Sequence, residues 1–168
     1  MHEIELPAGW WRPLVRLALL VAALGALYAG LPFDGREWWV GALVGIAAII
    51  GLAPFTVSRV RAINNAEHPG IVAIEALVLL LTITILGFAG IYLTINRHGN
   101  QFVGLETKLD SVYFTVTTFS TVGFGDIAAI GQKARGAVVA QMAIDLLVIG
   151  VAAKVLLGAL QSRVGQRR

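Results

Sequence analysis

The sequence predicts an all-α membrane protein with four transmembrane helices and one shorter helix that enters the membrane and returns. Of the 168 residues, 57% are hydrophobic and 14% are charged, and mean hydropathy is +0.78. A soluble domain averages about half apolar and about a quarter charged residues. The hydrophobic residues also come in long runs, separated by short polar segments that hold most of the charges. This pattern is typical of a multi-pass membrane protein.

Four apolar runs are long enough to cross a hydrocarbon core of about 30 Å at about 1.5 Å per residue. They cover residues 14–31, 38–57, 71–95 and 135–160. Each must be helical, because lipid offers no hydrogen-bond partners to an open backbone. The first run could instead be a cleaved signal peptide, but acidic residues precede it and no clean A-x-A site follows. We interpret it as a span.

We expect the protein to lie in the plasma or inner membrane of its cell. The distribution of basic residues in the short loops predicts that both termini are cytoplasmic. One side carries seven of them and the other carries five, leaving out Lys154 inside the fourth run. The seven are Arg12, Arg16, Arg59, Arg61, Arg163, Arg167 and Arg168, and the five are Arg36, Arg97, Lys108, Lys133 and Arg135.

Several classes of function are disfavoured by composition. No basic face on a polar domain is available for nucleic acid, and the absence of cysteine excludes disulfides and thiolate metal sites. The histidines at 2, 68 and 98 are scattered without ligand spacing. We therefore expect membrane lipid as a partner, no nucleic acid and no organic cofactor.

The segment between the third and fourth runs predicts a helix that enters the membrane without crossing it. Thr107 with Asp110 three residues later resembles a helix-capping box. A helix from residue 108 to about residue 120 is only about 18 Å long. The chain must then return to the same side, and TVGFGD at residues 121–126 forms the return. Non-helical backbone at membrane depth is tolerated only where it is buried in protein or lines a watery path.

The composition of this return is suited to binding a cation. Gly123 and Gly125 permit backbone conformations that a side chain would oppose. Carbonyl groups can then be turned toward one axis, with the hydroxyl of Thr121 added at the inner end. A ring of such oxygens can replace the water shell of a cation. The preceding helix also directs its negative dipole end toward the membrane centre, where it favours a cation.

The stretch TTFSTVGFGD resembles the pore helix and selectivity filter of potassium channels. The resemblance covers residues 71–160 and implies a passive, non-enzymatic K⁺ channel that assembles as a homotetramer around one pore. It implies that K⁺ binds to the carbonyls of Thr121, Val122, Gly123 and Phe124, with Gly125 completing the filter. Two alternatives remain open: a weakly selective cation channel, and an active-transport subunit or scaffold with a decayed loop.

The resemblance also implies a support for the filter, in which this sequence departs from the usual pattern. Asp126 would stand at the outer mouth. Phe124 replaces the commoner tyrosine, Tyr113 and Phe114 stand where many members have two tryptophans, and Thr117 stands where some have a glutamate. The proline often found shortly after the filter aspartate is absent.

The remaining chain divides around this pore domain. Residues 1–70 would be a two-helix segment that is not a voltage sensor, since it lacks arginines at every third residue. Its Gly41 and Gly45 form a GxxxG pattern that favours close helix packing over a binding site. Residues 161–168 would be a short cytoplasmic tail.

Charged residues inside the predicted spans are candidates for function. Glu75 and Lys154 would lie at similar depth near the cytoplasm, as an ion pair, as two separate side chains reaching the interface, or at the pore entrance. Asp145 lies near mid-membrane. It would face the cavity as a ring of carboxylates, with Ile149 as a second candidate cavity residue, or accept a hydrogen bond from Thr82 or Thr84.

Overall fold

A computed structural model describes residues 11–33, 38–64 and 69–165. These residues form five α-helices and two short strands. The elements are α1 (Trp11–Gly30), α2 (Trp38–Asn64), α3 (Pro69–Arg97), β1 (Phe102–Val103), α4 (Lys108–Phe119), β2 (Ala128–Ala129) and α5 (Gln132–Gly165). His2, His68, Arg36, Arg167 and Arg168 lie outside the described residues.

The predicted all-α membrane fold is confirmed. Within the described residues, α1, α2, α3 and α5 are long and apolar enough to cross a membrane, and α4 has only 12 residues. Most helices extend beyond their predicted ends. In particular, α2 continues through Pro54 to Asn64 instead of ending at residue 57. A proline is tolerated inside a membrane helix because neighbouring groups can satisfy the freed backbone carbonyl.

Helix α3 is the centre of the subunit, since α1, α2, α4 and α5 all pack on it. Small residues allow α2 to approach α3 closely: a Cβ atom built on Gly45 would lie 3.0 Å from the backbone oxygen of Gly87. A Cβ atom on Gly41 would instead lie 2.5 Å from the ring of Phe33. The GxxxG pattern therefore serves packing, as predicted, with one glycine against a helix and the other beneath an aromatic ring.

The start of α4 has the predicted cap. The Thr107 hydroxyl accepts a hydrogen bond from the Asp110 backbone N–H at 3.1 Å, and the Asp110 carboxylate accepts one from the Thr107 N–H at 2.7 Å. Both oxygens thus satisfy N–H groups that lack a partner within a helix. This capping box fixes where the re-entrant helix begins.

An aromatic cluster and a two-residue strand pair hold α4 within the subunit. The rings of Tyr92, Phe102 and Phe114 pack edge to face at 5.2–5.3 Å between centroids. In the strand pair, β1 runs antiparallel to β2, with Phe102 opposite Ala129. The strands were not predicted, because two residues are too few to show an alternating pattern.

Of the three arrangements predicted for Glu75 and Lys154, the ion pair between them is not found in the described residues. The Glu75 carboxylate is buried and lies 3.6 Å from Arg16 of α1 and 3.9 Å from Arg59 of α2, whereas Lys154 is exposed. The prediction compared depths on α3 and α5 alone. Because this part of α3 is covered by α1 and α2, Glu75 lies near the start of α1 and the end of α2.

Candidate functional site

The candidate filter begins where α4 ends, and the last turn of α4 holds it. The backbone oxygen of Thr117 accepts hydrogen bonds from the N–H groups of Val122 at 3.0 Å and Gly123 at 3.2 Å. The Ser120 N–H still bonds to Val116 within the helix pattern, at 2.9 Å. The inner part of the loop is thus suspended from the helix. A shift of α4 must therefore move the loop.

The backbone of the loop alternates in conformation. Thr121, Gly123 and Gly125 have φ values of 60°, 52° and 81°, while Val122 and Phe124 between them do not have positive φ. Thr121 is one of two residues other than glycine with positive φ in the described chain, a conformation that costs about 1–2 kcal/mol for an L-residue. An alternation of this kind lets successive carbonyls point to the same side, whereas in a regular strand they point to opposite sides. The loop therefore has a backbone suited to lining an axis with oxygens.

The loop is uncovered within one subunit. Residues 121–126 are all exposed, and Phe124 retains 71% of its accessible surface. Large apolar side chains of α5 are exposed as well, including Leu146 at 72% and Leu147 at 69%. A single subunit surrounds no ion.

The outer end of the loop is braced by Tyr113 of α4. Its hydroxyl donates a hydrogen bond to the Asp126 carboxylate at 2.8 Å, and its ring stacks on that of Phe124, with centroids 6.4 Å apart and planes 4° from parallel. The hydrogen bond to Asp126 is also the main reason that the pKa of Tyr113 is raised, with smaller contributions from burial and from the charge of Asp126. Tyr113 thus contacts both residues whose side chains flank Gly125.

The other predicted support residues act less directly. Thr117 supports the loop through its backbone oxygen, and its hydroxyl donates to the backbone oxygen of Phe114 at 3.0 Å. Phe114 lies in the aromatic cluster, 9% exposed, and so fixes α4 and not the loop itself.

Behind α4 lies a buried polar network that the sequence reasoning missed. The Gln141 side chain on α5 donates to the backbone oxygen of Thr115 at 3.2 Å and to the Asp145 carboxylate at 3.0 Å, and it accepts from the Tyr92 hydroxyl. Tyr92, Thr115 and Gln141 are fully buried. One side chain therefore connects the last helix to the re-entrant helix and to α3. The available signal was Gln141 four residues before Asp145, a spacing that places both on one helix face.

Neither predicted environment of Asp145 is found. Its side chain is 5% exposed within a single subunit, and assembly can only remove further surface, so it does not line a cavity. Thr82 and Thr84 donate instead to the backbone oxygens of Val78 and Leu80. One carboxyl oxygen accepts from Gln141 and the other has no hydrogen-bond partner. Ile149, by contrast, is 46% exposed.

Among the described residues no group of acidic, histidine or cysteine side chains could hold a metal ion. The loop offers a cation its backbone carbonyls, the Thr121 hydroxyl and the Asp126 carboxylate.

Comparison with known proteins gives one match. The sequence model of the ion channel family Ion_trans_2 matches residues 78–162, from α3 through the re-entrant helix and loop to α5. No curated protein and no solved structure matches the chain. The matched region is about half of the chain and contains the capped short helix, the alternating loop and most of both flanking spans. The chain therefore belongs to this ion channel family, whose members have the pore architecture of two-transmembrane-helix potassium channels.

Proposed function

We propose that the protein is a potassium-selective channel that conducts K⁺ passively through the pore of a homotetramer. The observation that carries the proposal is the loop at residues 121–126, where TVGFGD combines with positive φ at every second residue. Carbonyls of Thr121, Val122, Gly123 and Phe124 would bind dehydrated K⁺ ions, which are the only bound group required. No reaction is catalysed.

Assembly into a tetramer follows from the same loop. One copy contributes one wall of a filter, and a filter of the potassium-channel kind needs a ring of carbonyls from four loops. The exposed apolar side chains of α5 and the exposed Phe124 provide surface that neighbouring copies can cover. We place residues 71–160 around the axis and the helices of residues 1–70 outside them, without a role in voltage sensing.

Orientation in the membrane is part of the proposal. The candidate filter would open to the outside of a plasma or inner membrane, with both termini in the cytoplasm. The excess of basic residues on the side of the termini supports this orientation. Arg16 and Arg59, which lie near Glu75, would then meet the cytoplasmic interface.

A weakly selective cation channel is the second candidate. Phe124 lacks the hydroxyl of the commoner tyrosine, so the filter loses one possible support. This departure favours the weakly selective channel. The contact of Tyr113 with both Asp126 and Phe124 supplies a brace from the other side, which favours K⁺ selectivity.

Purified protein in liposomes separates these functions. A K⁺ gradient should drive flux without any energy source, an equal Na⁺ gradient should drive little, and Ba²⁺ should block the K⁺ flux. Equal K⁺ and Na⁺ fluxes would establish the weakly selective channel. Flux that requires an added energy source would establish active transport.

A further inference from the structure

Lys108 is the first residue of α4, and its position contradicts the usual electrostatics of helices. A cation at a helix N-terminus opposes the helix dipole, which favours negative charge there. The Lys108 ammonium group does not stay at its own helix, however. It donates hydrogen bonds to the backbone oxygens of Ala29 and Leu31, the latter at 2.9 Å, and lies 5.4 Å from the centre of the Phe33 ring.

These oxygens belong to the end of α1, which has no basic residue in its last turn. Carbonyls at a helix C-terminus lack partners within the helix and carry partial negative charge. Lys108 therefore supplies from α4 the positive charge that α1 lacks. The Lys108 charge is unfavourable for α4, but it stabilises the carbonyl groups at the end of α1.

A second contact joins the same two helices. The Tyr28 hydroxyl lies 2.6 Å from the Ser111 hydroxyl and donates to the Lys108 backbone oxygen at 3.3 Å. Tyr28 is 7% exposed and Ser111 is fully buried, although the two are 83 residues apart in the chain. The first turn of α4 is thus fixed to α1 by one charged and one neutral contact.

The position of the first turn of α4 determines the position of its last turn. The helix has 12 residues and no internal proline, so it moves as a rod about 18 Å long. At its far end, the backbone oxygen of Thr117 holds Val122 and Gly123. A tilt that begins at Lys108 must displace these two filter residues.

We propose that the outer end of α1 is a positioning element of the filter, acting through Tyr28 and Lys108 on the first turn of α4. This assigns a role to the first helix, which lies outside the region matched by the ion channel family. The proposal rests on the proposed K⁺-channel function. Neither side chain touches the ion; both act through α4.

The test measures how tightly the filter holds K⁺. Tyr28→Phe removes one hydroxyl, and Lys108→Met removes the ammonium group while retaining most of the side-chain length. Titration of the purified tetramer with K⁺ should show an apparent affinity about two- to tenfold weaker for each variant, as expected for the loss of about one partly buried hydrogen bond at each site. The K⁺ over Na⁺ permeability ratio at low external K⁺ should fall in parallel.

Two further variants serve as controls. Lys108→Arg can still donate to two carbonyl oxygens and should restore most of the K⁺ affinity. Lys133→Met removes an equal charge from an exposed residue at the start of α5 and should leave K⁺ affinity unchanged. A loss of affinity in Lys133→Met as large as that in Lys108→Met would overturn the proposal, because the effect would then come from charge alone.

Melting of the tetramer in detergent distinguishes positioning from simple stabilisation. If Tyr28→Phe and Lys108→Met lower the melting temperature but leave K⁺ affinity and permeability ratio at wild-type values, α1 only stabilises the fold and the proposal is wrong. Wild-type values in all three measurements would overturn it as well. If the wild-type protein itself does not select K⁺ over Na⁺, the proposed function fails first, and that result is separate from either outcome.

Discussion

Replacing Gly123 by alanine places a side chain at one of the three loop residues with positive φ. The φ of Gly123 is +52°, and a Cβ atom built there meets no other atom of the subunit within 4 Å. The cost within a subunit is therefore conformational and not a steric overlap. An L-residue in this region costs about 1–2 kcal/mol, which sums to about 4–8 kcal/mol over four subunits. The cost per subunit is only a fraction of the stability of a folded domain, so the chain can still fold while the filter leaves its conformation.

We expect the Gly123→Ala tetramer to leave the conducting conformation and to lose most of its K⁺ over Na⁺ selectivity. The measurement is the permeability ratio of purified protein in planar bilayers, with size-exclusion chromatography to verify the tetramer. Gly25→Ala is the matched control, since Gly25 lies in α1 without positive φ and with open space around it. A folded Gly123→Ala tetramer with wild-type selectivity would refute the assignment of the filter.

Three other predictions concern Asp145, Gly45 and Asp110. Asp145→Asn should change neither single-channel conductance nor block by internal Mg²⁺, because the carboxyl group is buried within the subunit. Lower conductance in this variant would show instead that Asp145 faces the cavity. Gly45→Val should lower the melting temperature of the tetramer, by an amount expected from about 1–3 kcal/mol of overpacking, because a Cβ atom there already lies 3.0 Å from the Gly87 oxygen; an unchanged melting temperature would contradict the close contact. Burial is the largest single influence and raises the pKa of Asp110, but the hydrogen bonds from Thr107 and Glu106 together outweigh it and hold the pKa below its usual value. The capping contribution is therefore complete above the usual pKa and lost as pH falls through the lowered one, so acid should destabilise wild type more than Asp110→Asn; equal acid sensitivity of melting would show that the cap does not matter.

Features encoded by local sequence were predictable. The four spans follow from length and hydropathy, and the start of α4 follows from Thr107 and Asp110, whose spacing alone forms the capping box. The glycines at 123 and 125 indicated an unusual backbone, and both have positive φ. Each of these features depends on residues within a few positions of one another.

Features that depend on the rotation and packing of helices were not predictable. Asp145 is buried because of the rotation of α5 about its axis. That rotation is set by Gln141 on the same helix, which bonds to Asp145, to Thr115 of α4 and to Tyr92 of α3. The ion pair of Glu75 with Lys154, one of the arrangements considered, was wrong because sequence gives depth in the membrane but not the neighbouring helix. The contact of Lys108 with α1 spans 77 residues, and only the unusual cation at a helix start indicated it.

We propose that the loop at residues 121–126 selects K⁺ within a tetramer. The most direct measurement is the reversal potential of purified wild-type protein in a planar bilayer, with K⁺ on both sides at unequal concentration and Na⁺ balancing the ionic strength. For a K⁺-selective channel we expect a reversal potential close to the K⁺ equilibrium potential. A reversal potential near zero, with clear single-channel currents, would contradict it.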